Sequence, residues 1–396
     1  MNYILFDDET RLSLLPFTFT RPVSEIRIGI LTIREKWEKQ LAQPLSHLTE
    51  KFLQEKFPLK VADENILING SVIPDKKLVR HIGRLNVGEK LVKDGVIIAA
   101  GISKRDLAAL EKVSSLEAHA SLDYPDSLFR INYNWEIFSK NEQAINEDFH
   151  LITAGRRSQP LSKTNHAIGI ENIFIEEGAK IECAILNASS GFIYISQNAE
   201  VMEGAMIRGP FSLGEHSTLK MGSKIYGATT IGPHCKIGGE VTNAVIFGHS
   251  NKAHDGYLGN SVIGEWCNLG ADSNNSNLKN NYSTVKVWNY RDETFMNTNL
   301  QFCGLMMGDH SKCSINTMFN TGTVVGVSAN IFGTGFPPKY IPSFSWGGSE
   351  GFKTFRIEEA IEVAQRVHER RNISFNEKEQ KIMKHLFDDS TKYRAW

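Results

Sequence analysis

From Ile195 to Thr242 apolar residues recur at every sixth position: Ile195, Val201, Ile207, Leu213, Leu219, Ile225, Ile231 and Ile237. Four places after each stands a mostly small residue (Ala199, Ala205, Ser217, Ser223, Thr229, Cys235), with Phe211 and Val241 as larger members. Neither a helix of period 3.6 nor a flat strand of period two produces a period of six. A parallel β-helix does, because each hexapeptide is one short strand plus a turn and three make one triangular coil. The apolar residue points into the prism and the small residue fits beside it near a corner. Glycine often follows the apolar position (Gly214, Gly232, Gly238), where it is expected to supply turn conformations that a Cβ resists.

Outside this stretch the pattern is broken in places. Irregular coils start at Ile175 and Ile181. The register lapses after Thr242 and returns at Ile263 and Leu269. It lapses again between Asn274 and Gly304, then resumes from Met307 through Cys313, Phe319 and Val325 to Ile331. The two gaps predict loops thrown out from one face, the usual place for a site on a solenoid. Pro337-Pro338 is expected to end the prism. Residues 357–370 and 377–386 then carry helical spacing, with Ile357, Ile361, Ala364 and Val367 on one stripe. They are expected to cap the open edge of the last coil.

The first 150 residues follow a different pattern, that of an α/β domain. Residues 3–6 and 65–69 are short apolar strands, and residues 91–99, broken at Asp94-Gly95, predict a hairpin. A helix is predicted over 32–41, with Thr32 as N-cap and Glu35 in capping-box position. Helical spacing also covers 107–116 and 135–145. The chain thus divides into an α/β domain (1–150), a polar linker (151–174), a hexapeptide-repeat β-helix (175–336) and a helical tail (337–396).

Composition narrows the function classes. The 396 residues carry a net charge of −1, which excludes bulk attraction to nucleic acid or an anionic membrane. The first ten residues lack the basic n-region of a signal peptide, and the longest apolar runs, such as 96–100, are far too short to span a bilayer. Five cysteines form no CxxC pair and fit small buried hydrophobes in a reducing cytoplasm.

Two segments of the first domain carry candidate chemistry. Asp7-Asp8-Glu9-Thr10-Arg11-Leu12, followed by Leu15-Pro16-Phe17-Thr18 and Thr20-Arg21-Pro22, resembles the signature loop of sugar-phosphate nucleotidyltransferases. That resemblance implies a Rossmann-like fold, with Arg11 and Arg21 as the cations that neutralise nucleotide phosphates. Glycines of that loop, whose amides cradle phosphate, are replaced here by Asp7, Asp8 and Glu9, which predicts an altered or metal-dependent activity. Residues 66–71 resemble the family's strand ending in Gly-Asp, whose aspartate holds Mg²⁺. Ser71 stands at that aspartate's position.

The segment 247–260 contains Lys252-Ala253-His254 and then Tyr257-Leu258-Gly259. It resembles the acetyltransferase domain of the GlmU-type bifunctional N-acetylglucosamine-1-phosphate uridyltransferase/glucosamine-1-phosphate acetyltransferase family. Asn268-Leu269-Gly270-Ala271 and Asn281-Tyr282 match further motifs of that domain, and the order of domains agrees. The resemblance implies a left-handed β-helix, a homotrimer, acetyl-CoA as donor, and an amino-sugar phosphate and UTP as substrates. It makes His254 the general base, with Arg208, Tyr257, Asn268, Asn281 and Tyr282 around the substrate. Thr242 falls where that family places a phosphate-binding lysine, so the phosphate grip is incomplete.

Two other classes compete. His249 and His254, five apart, resemble the zinc histidines of hexapeptide-type carbonic anhydrases, with His216 or His234 as the third ligand that catalytic zinc requires. In the second class both folds are kept for binding or assembly, without catalysis.

Overall fold

The computed structural model describes residues 1–110, 116 and 119–396, and the strands and sheets below are counted among those. The chain divides into two compact units. One comprises Met1–Leu14, Thr20–Ile26 and Leu31–Tyr133; the other comprises Leu15–Phe19, Arg27–Ile30 and Asn134–Trp396.

The first unit is built on a mixed sheet of six strands. Their order is Ser46–Leu48, Asn2–Phe6, Glu64–Asn69, Val96–Ser103, Glu89–Lys93 and Ala120–Asp123. The first three run parallel, and Val96–Ser103 returns antiparallel to Glu64–Asn69. Asp94 and Gly95 both take positive φ (48° and 77°), closing the predicted hairpin. Thr32 and Glu35 form the predicted capping box of the helix Ile33–Leu41. That helix buries Trp37, whose indole donates to the carbonyl of Val72. Of the helix predicted over 107–116, the described portion is Lys104–Ala108; most of the remainder lies outside the described residues.

The second unit is a parallel β-helix with a helical tail. All eight residues of the six-period are buried, as are their small partners. Ile193 stands over Phe211 and Phe211 over Thr229, one coil of three hexapeptides at each step. The prism has three faces. Face A has six strands, from His166–Ile168 to Tyr257–Gly259; face B has nine and face C ten. Gly214, Gly232 and Gly238 do not take left-handed φ, contrary to expectation. A Cβ on Gly232 would stand 1.6 Å from the carbonyl oxygen of Phe247 in the next coil, so it is the close stacking that excludes one. The left-handed corner is carried instead by Asn198, His216, His234 and His249, with φ between 53° and 58°. Asparagine tolerates this region because its short polar side chain bonds locally.

Two of the expectations about the prism are corrected and one is met. The first gap is not an extruded loop. Val245–Gly248, Asn251–Lys252 and Tyr257–Gly259 stay in the ladders of faces B, C and A. Val245 stands over Thr230, so this coil is merely shorter than the strict repeat. The second gap is a true insertion, containing an antiparallel hairpin of Lys286–Asn289 with Thr294–Asn297. Pro337-Pro338 does not stop the ladder, because Tyr340–Ile341 and Ser345–Gly348 continue faces B and C.

The tail also differs from the expected end cap. Helices Ile357–Glu369 and Glu377–Asp389 pack along the corner between faces B and C. Rings repeat there coil after coil: His216, His234, His249 and Trp266 stack with centroids 5.0, 4.9 and 4.1 Å apart. His368 of the tail stacks on Trp266 at 3.6 Å. Arg371 donates to the carbonyls of His234 and His249 and to Asn251 Oδ1. The buried stripe is therefore Ala360, Ile361, Ala364 and His368, one step round from the predicted one.

This column makes the unit acid-sensitive. Burial pushes the His249 imidazole down to about 4, with Glu265 opposing and His234, Arg371 and His368 adding to the depression. An unfolded histidine titrates near 6.5. The contribution to stability is therefore full above 6.5 and is lost as pH falls from 6.5 towards 4. The melting temperature should fall over that interval. His249→Phe should flatten part of the fall, since Phe344 already occupies such a corner with φ 58°. Thermal scans across pH 4–8 check both outcomes.

Candidate functional sites

In the first unit the parallel strands Asn2–Phe6 and Glu64–Asn69 end side by side, and the candidate residues gather at their carboxyl ends. Asp7 turns inward. Its carboxylate accepts from the amide of Val23 (2.8 Å) and the hydroxyl of Thr49 (2.5 Å), and Arg11 Nε lies 3.9 Å away. Burial pushes Asp7 up to about 6, against the opposing pull of Thr49, Arg11 and the Val23 amide. Asp8 accepts from Asn69 Nδ2 at 2.8 Å and faces the Arg130 guanidinium at 3.5 Å. Arg130 also donates to Thr10 Oγ1 at 2.7 Å. Ser71 donates through its hydroxyl to Asn69 Oδ1 at 2.7 Å. Asp8, Thr10, Asn69, Ser71 and Arg130 thus form one bonded cluster.

Two points differ from the sequence reading. The acidic loop does not present three bare carboxylates, because Asp7 is buried and Asp8 is paired. Arg11 and Arg21 are themselves buried, and the Arg11 guanidinium lies over the ring of Phe52 at 5.6 Å. Asn69 and Arg130 were missed. Asn69 was legible as the last residue of an apolar strand before glycine; nothing in the sequence around Arg130 singles it out.

In the β-helix His254 is exposed, on the turn from face C to face A. Tyr257, the first residue on face A, is tied twice to the start of the insertion. Its amide donates to Asn274 Oδ1 at 2.8 Å, and its hydroxyl accepts from Asn277 Nδ2 at 2.9 Å. Asn277 Nδ2 also donates to Asn260 Oδ1. Asn268 is exposed on face C, beside Asn251 at 3.5 Å. Asn281 and Tyr282 are exposed in the insertion; Asn281 Oδ1 accepts from the Ser283 amide and hydroxyl. Arg208 is exposed on face A, three strands from Tyr257–Gly259, or about 14 Å at ~4.8 Å per strand. Within the chain, then, His254 and Tyr257 stand together and Arg208 stands apart.

The zinc arrangement is not formed. His249 is stacked between His234 and Trp266, whereas His254 lies on a separate, exposed turn. Among the described residues no group of three or more His, Cys, Asp or Glu is placed to hold a metal ion. Among them, too, no helix is long and apolar enough to cross a membrane.

Because burial raises the Asp7 carboxyl above its unfolded value of 3.8, the native state binds that proton more tightly. Its contribution is full below 3.8 and is lost as pH rises through 6. Asp7→Asn should abolish that loss and melt at or above the parent at pH 8. Melting curves between pH 4 and 8 test this; a large destabilisation at pH 8 would show that the carboxylate itself holds the loop.

Residues 3–157 match the family model for sugar nucleotidyl transferases. The bifunctional protein GlmU of Gloeobacter violaceus is 39% identical over 61 residues, 15% of this chain and 13% of the relative. GlmU of Methanocaldococcus jannaschii is 33% identical over 87 residues, 22% of this chain and 21% of the relative. The chain therefore spans about a fifth or less of the length of these curated relatives. A solved Arabidopsis UDP-N-acetylglucosamine acyltransferase aligns over 53% of this chain and 82% of its own, at 14% identity and a TM-score of 0.25. Residues 3–157 are thus similar to sugar nucleotidyl transferases, and shorter stretches of the chain are similar to bifunctional GlmU proteins.

Proposed function

We propose that this protein is a cytoplasmic transferase of sugar-nucleotide synthesis whose β-helix transfers an acetyl group from acetyl-CoA to the amine of an amino-sugar phosphate. The observation that carries the reading is His254, exposed on a turn whose next strand begins with Tyr257, itself bonded to the insertion. The amine nitrogen attacks the thioester carbonyl, the C–S bond breaks, and the CoA thiolate leaves. The attacking amine must lose a proton, which His254 accepts; an imidazole suits that role near neutral pH. Tyr257, Asn268, Asn281 and Tyr282 line the acceptor and donor.

The site is completed between subunits of a homotrimer, a reading supported by how the three faces are covered. The outward residues of face B, such as Phe174, Tyr194 and Thr230, are buried. Thr230 bonds the carbonyl of Gly29 and receives the Asn141 amide. The corner between faces B and C carries the tail. Face A instead exposes Ile168, Ile185, Met206 and Tyr226. A neighbour docked there shields these groups and carries its own Arg208 towards the His254 turn.

The first domain binds a nucleoside triphosphate and a sugar phosphate with an altered grip, since Arg11 and Arg21 are buried and Ser71 replaces a carboxylate. Uridylyl transfer is accordingly slow. Pyrophosphate release from UTP and a hexosamine-1-phosphate measures it, and robust, Arg11-dependent turnover would overturn this part.

His254→Ala should lower acetylation of an amino-sugar phosphate by ~10²–10⁴-fold, with the melting temperature close to that of the parent. Equal rates for the two proteins, or no acetylation by either, would sink the acyltransferase reading. The trimer is tested separately. Light scattering should give three subunits, and Met206→Glu should dissociate them; a monomeric parent at micromolar concentration would refute the shared site.

A further inference from the structure

Lys252 occupies a position that every neighbouring coil gives to an apolar side chain. It pairs with Ile237, which pairs in turn with Leu219. Its residue exposure is 3%, so an ammonium is held inside the wall of the prism. Leucine or methionine in that slot would avoid the desolvation that an ammonium suffers there. Burial lowers the lysine to about 8, with Asp255, Cys313 and Asp272 drawing it back up.

What the ammonium does is local and specific. Nζ donates to the main-chain carbonyl of His254 at 2.6 Å. A cradle is kept open for it at Gly239, which lies on the preceding turn at φ 71°. A Cβ there would stand 2.9 Å from Lys252 Nζ, 2.9 Å from the His254 oxygen and 2.7 Å from the Gly256 oxygen. Two independent features of the chain, a lysine in an apolar slot and a glycine that leaves room for its head, meet under one residue. That residue is His254.

We propose that Lys252 is a positioning residue: from inside the prism it pins the His254 carbonyl and so fixes the turn that presents the imidazole to the acceptor. The inference rests on the proposed role of His254. The turn that Lys252 holds lies over the shortened turn between Ile237 and Val241, where the preceding coil is two residues shorter. Backbone amides of neighbouring coils bond the carbonyls of Lys252, Asp255 and Gly256, and the lysine supplies the bond at the His254 carbonyl between them. A hydrogen bond from a charged donor in a low-dielectric setting is a stiff restraint. Elsewhere Lys312 makes a similar contact with the carbonyl of His310 at 2.9 Å. There it restrains a corner of the ring column, where the His310 ring is stacked against Trp266 and His368 rather than presented on an exposed turn.

The experiment compares Lys252→Met and Lys312→Met in the full-length protein. Removing the Lys252 charge should leave the melting temperature equal or higher, because methionine suits the slot. The kcat for acetyl transfer should nevertheless fall by between ~10- and ~10²-fold, the scale of an ångström-level misplacement, with KM for the amino sugar unchanged. Lys312→Met should keep the parent's kcat. Histidine ring resonances give a readout that needs no turnover. The His254 Cε1–H signal, identified by its loss in His254→Ala, should shift or broaden in Lys252→Met and not in Lys312→Met. An unmoved His254 signal, or a lower melting temperature with kcat per folded enzyme unchanged, overturns the positioning role. A moved signal in a protein that acetylates nothing sustains the tether and refutes instead the acyltransferase reading.

Discussion

The β-helix is governed by its strand spacing. Successive coils stack at ~4.8 Å, so each side chain lies on its counterpart one coil away. Inward slots therefore have to fill a closed column of fixed width. Alternating large apolar and small residues at a period of six does so, as Ile195, Ala199, Val201 and Ala205 illustrate. Corners obey the same rule with a different chemistry. A left-handed residue must recur at each coil, and its side chain lands on the previous one. Histidine at three consecutive corners and tryptophan at the next produce a column of parallel rings, with interplanar angles of 12°, 9° and 5°. Once that column exists, the tail has an aromatic edge to bury, and His368 and Arg371 take it.

The same constraint gives the deviations their meaning. A regular coil offers only flat, repetitive faces, and chemistry needs a concave, specific arrangement. This chain departs from the repeat in two places, by shortening a coil at Val245 and by inserting residues after Asn275. The two departures touch: Asn274 and Asn277 hold Tyr257, which follows the His254 turn. The inserted hairpin is engaged by other parts of its own chain. Trp288 stacks on Tyr340 at 4.2 Å, and Tyr290 meets Tyr393 edge-on at 5.3 Å. That anchoring leaves the segment around Asn281 and Tyr282 as the part free to face outward.

What the sequence disclosed follows from the range of the forces involved. Local, periodic signals were legible: the hexapeptide repeat, the Thr32–Glu35 capping box and the turn at Asp94-Gly95 each involve neighbours in sequence. The coil at Lys252 was misread because its inward slot holds a polar residue and its length changes at the same point. Either alone would have left a trace of the period. The grouping of Leu15–Phe19 and Arg27–Ile30 with the second unit had no local signal at all. It depends on contacts such as Gly29 with Asn141 and Phe17 with Phe247, whose partners lie more than a hundred residues on. The tail's stripe was placed one step off because His368, a polar residue by any scale, is what it buries.

The acidic loop of the first unit shows why formal charge is a poor guide to a site. Asp7, Asp8 and Glu9 suggest a loop hostile to phosphate. In the folded unit Asp7 is pushed towards its neutral form by burial, and Asp8 is offset by Arg130 and by the Asn69 amide. Both carboxylates are thus engaged within the unit, and the loop offers less bare negative charge than the letters imply. The cations around this loop are engaged as well. Arg11 is drawn in beside Asp7 and over Phe52, Arg21 is buried, and Arg130 is bonded to Thr10 and faces Asp8. Any anion brought to Arg130 would have to compete with a carboxylate already in place, and that exchange would return only the difference between two similar ion pairs. An internal competitor of this kind opposes the capture of any anion more surely than repulsion from an exposed loop, which salt would screen.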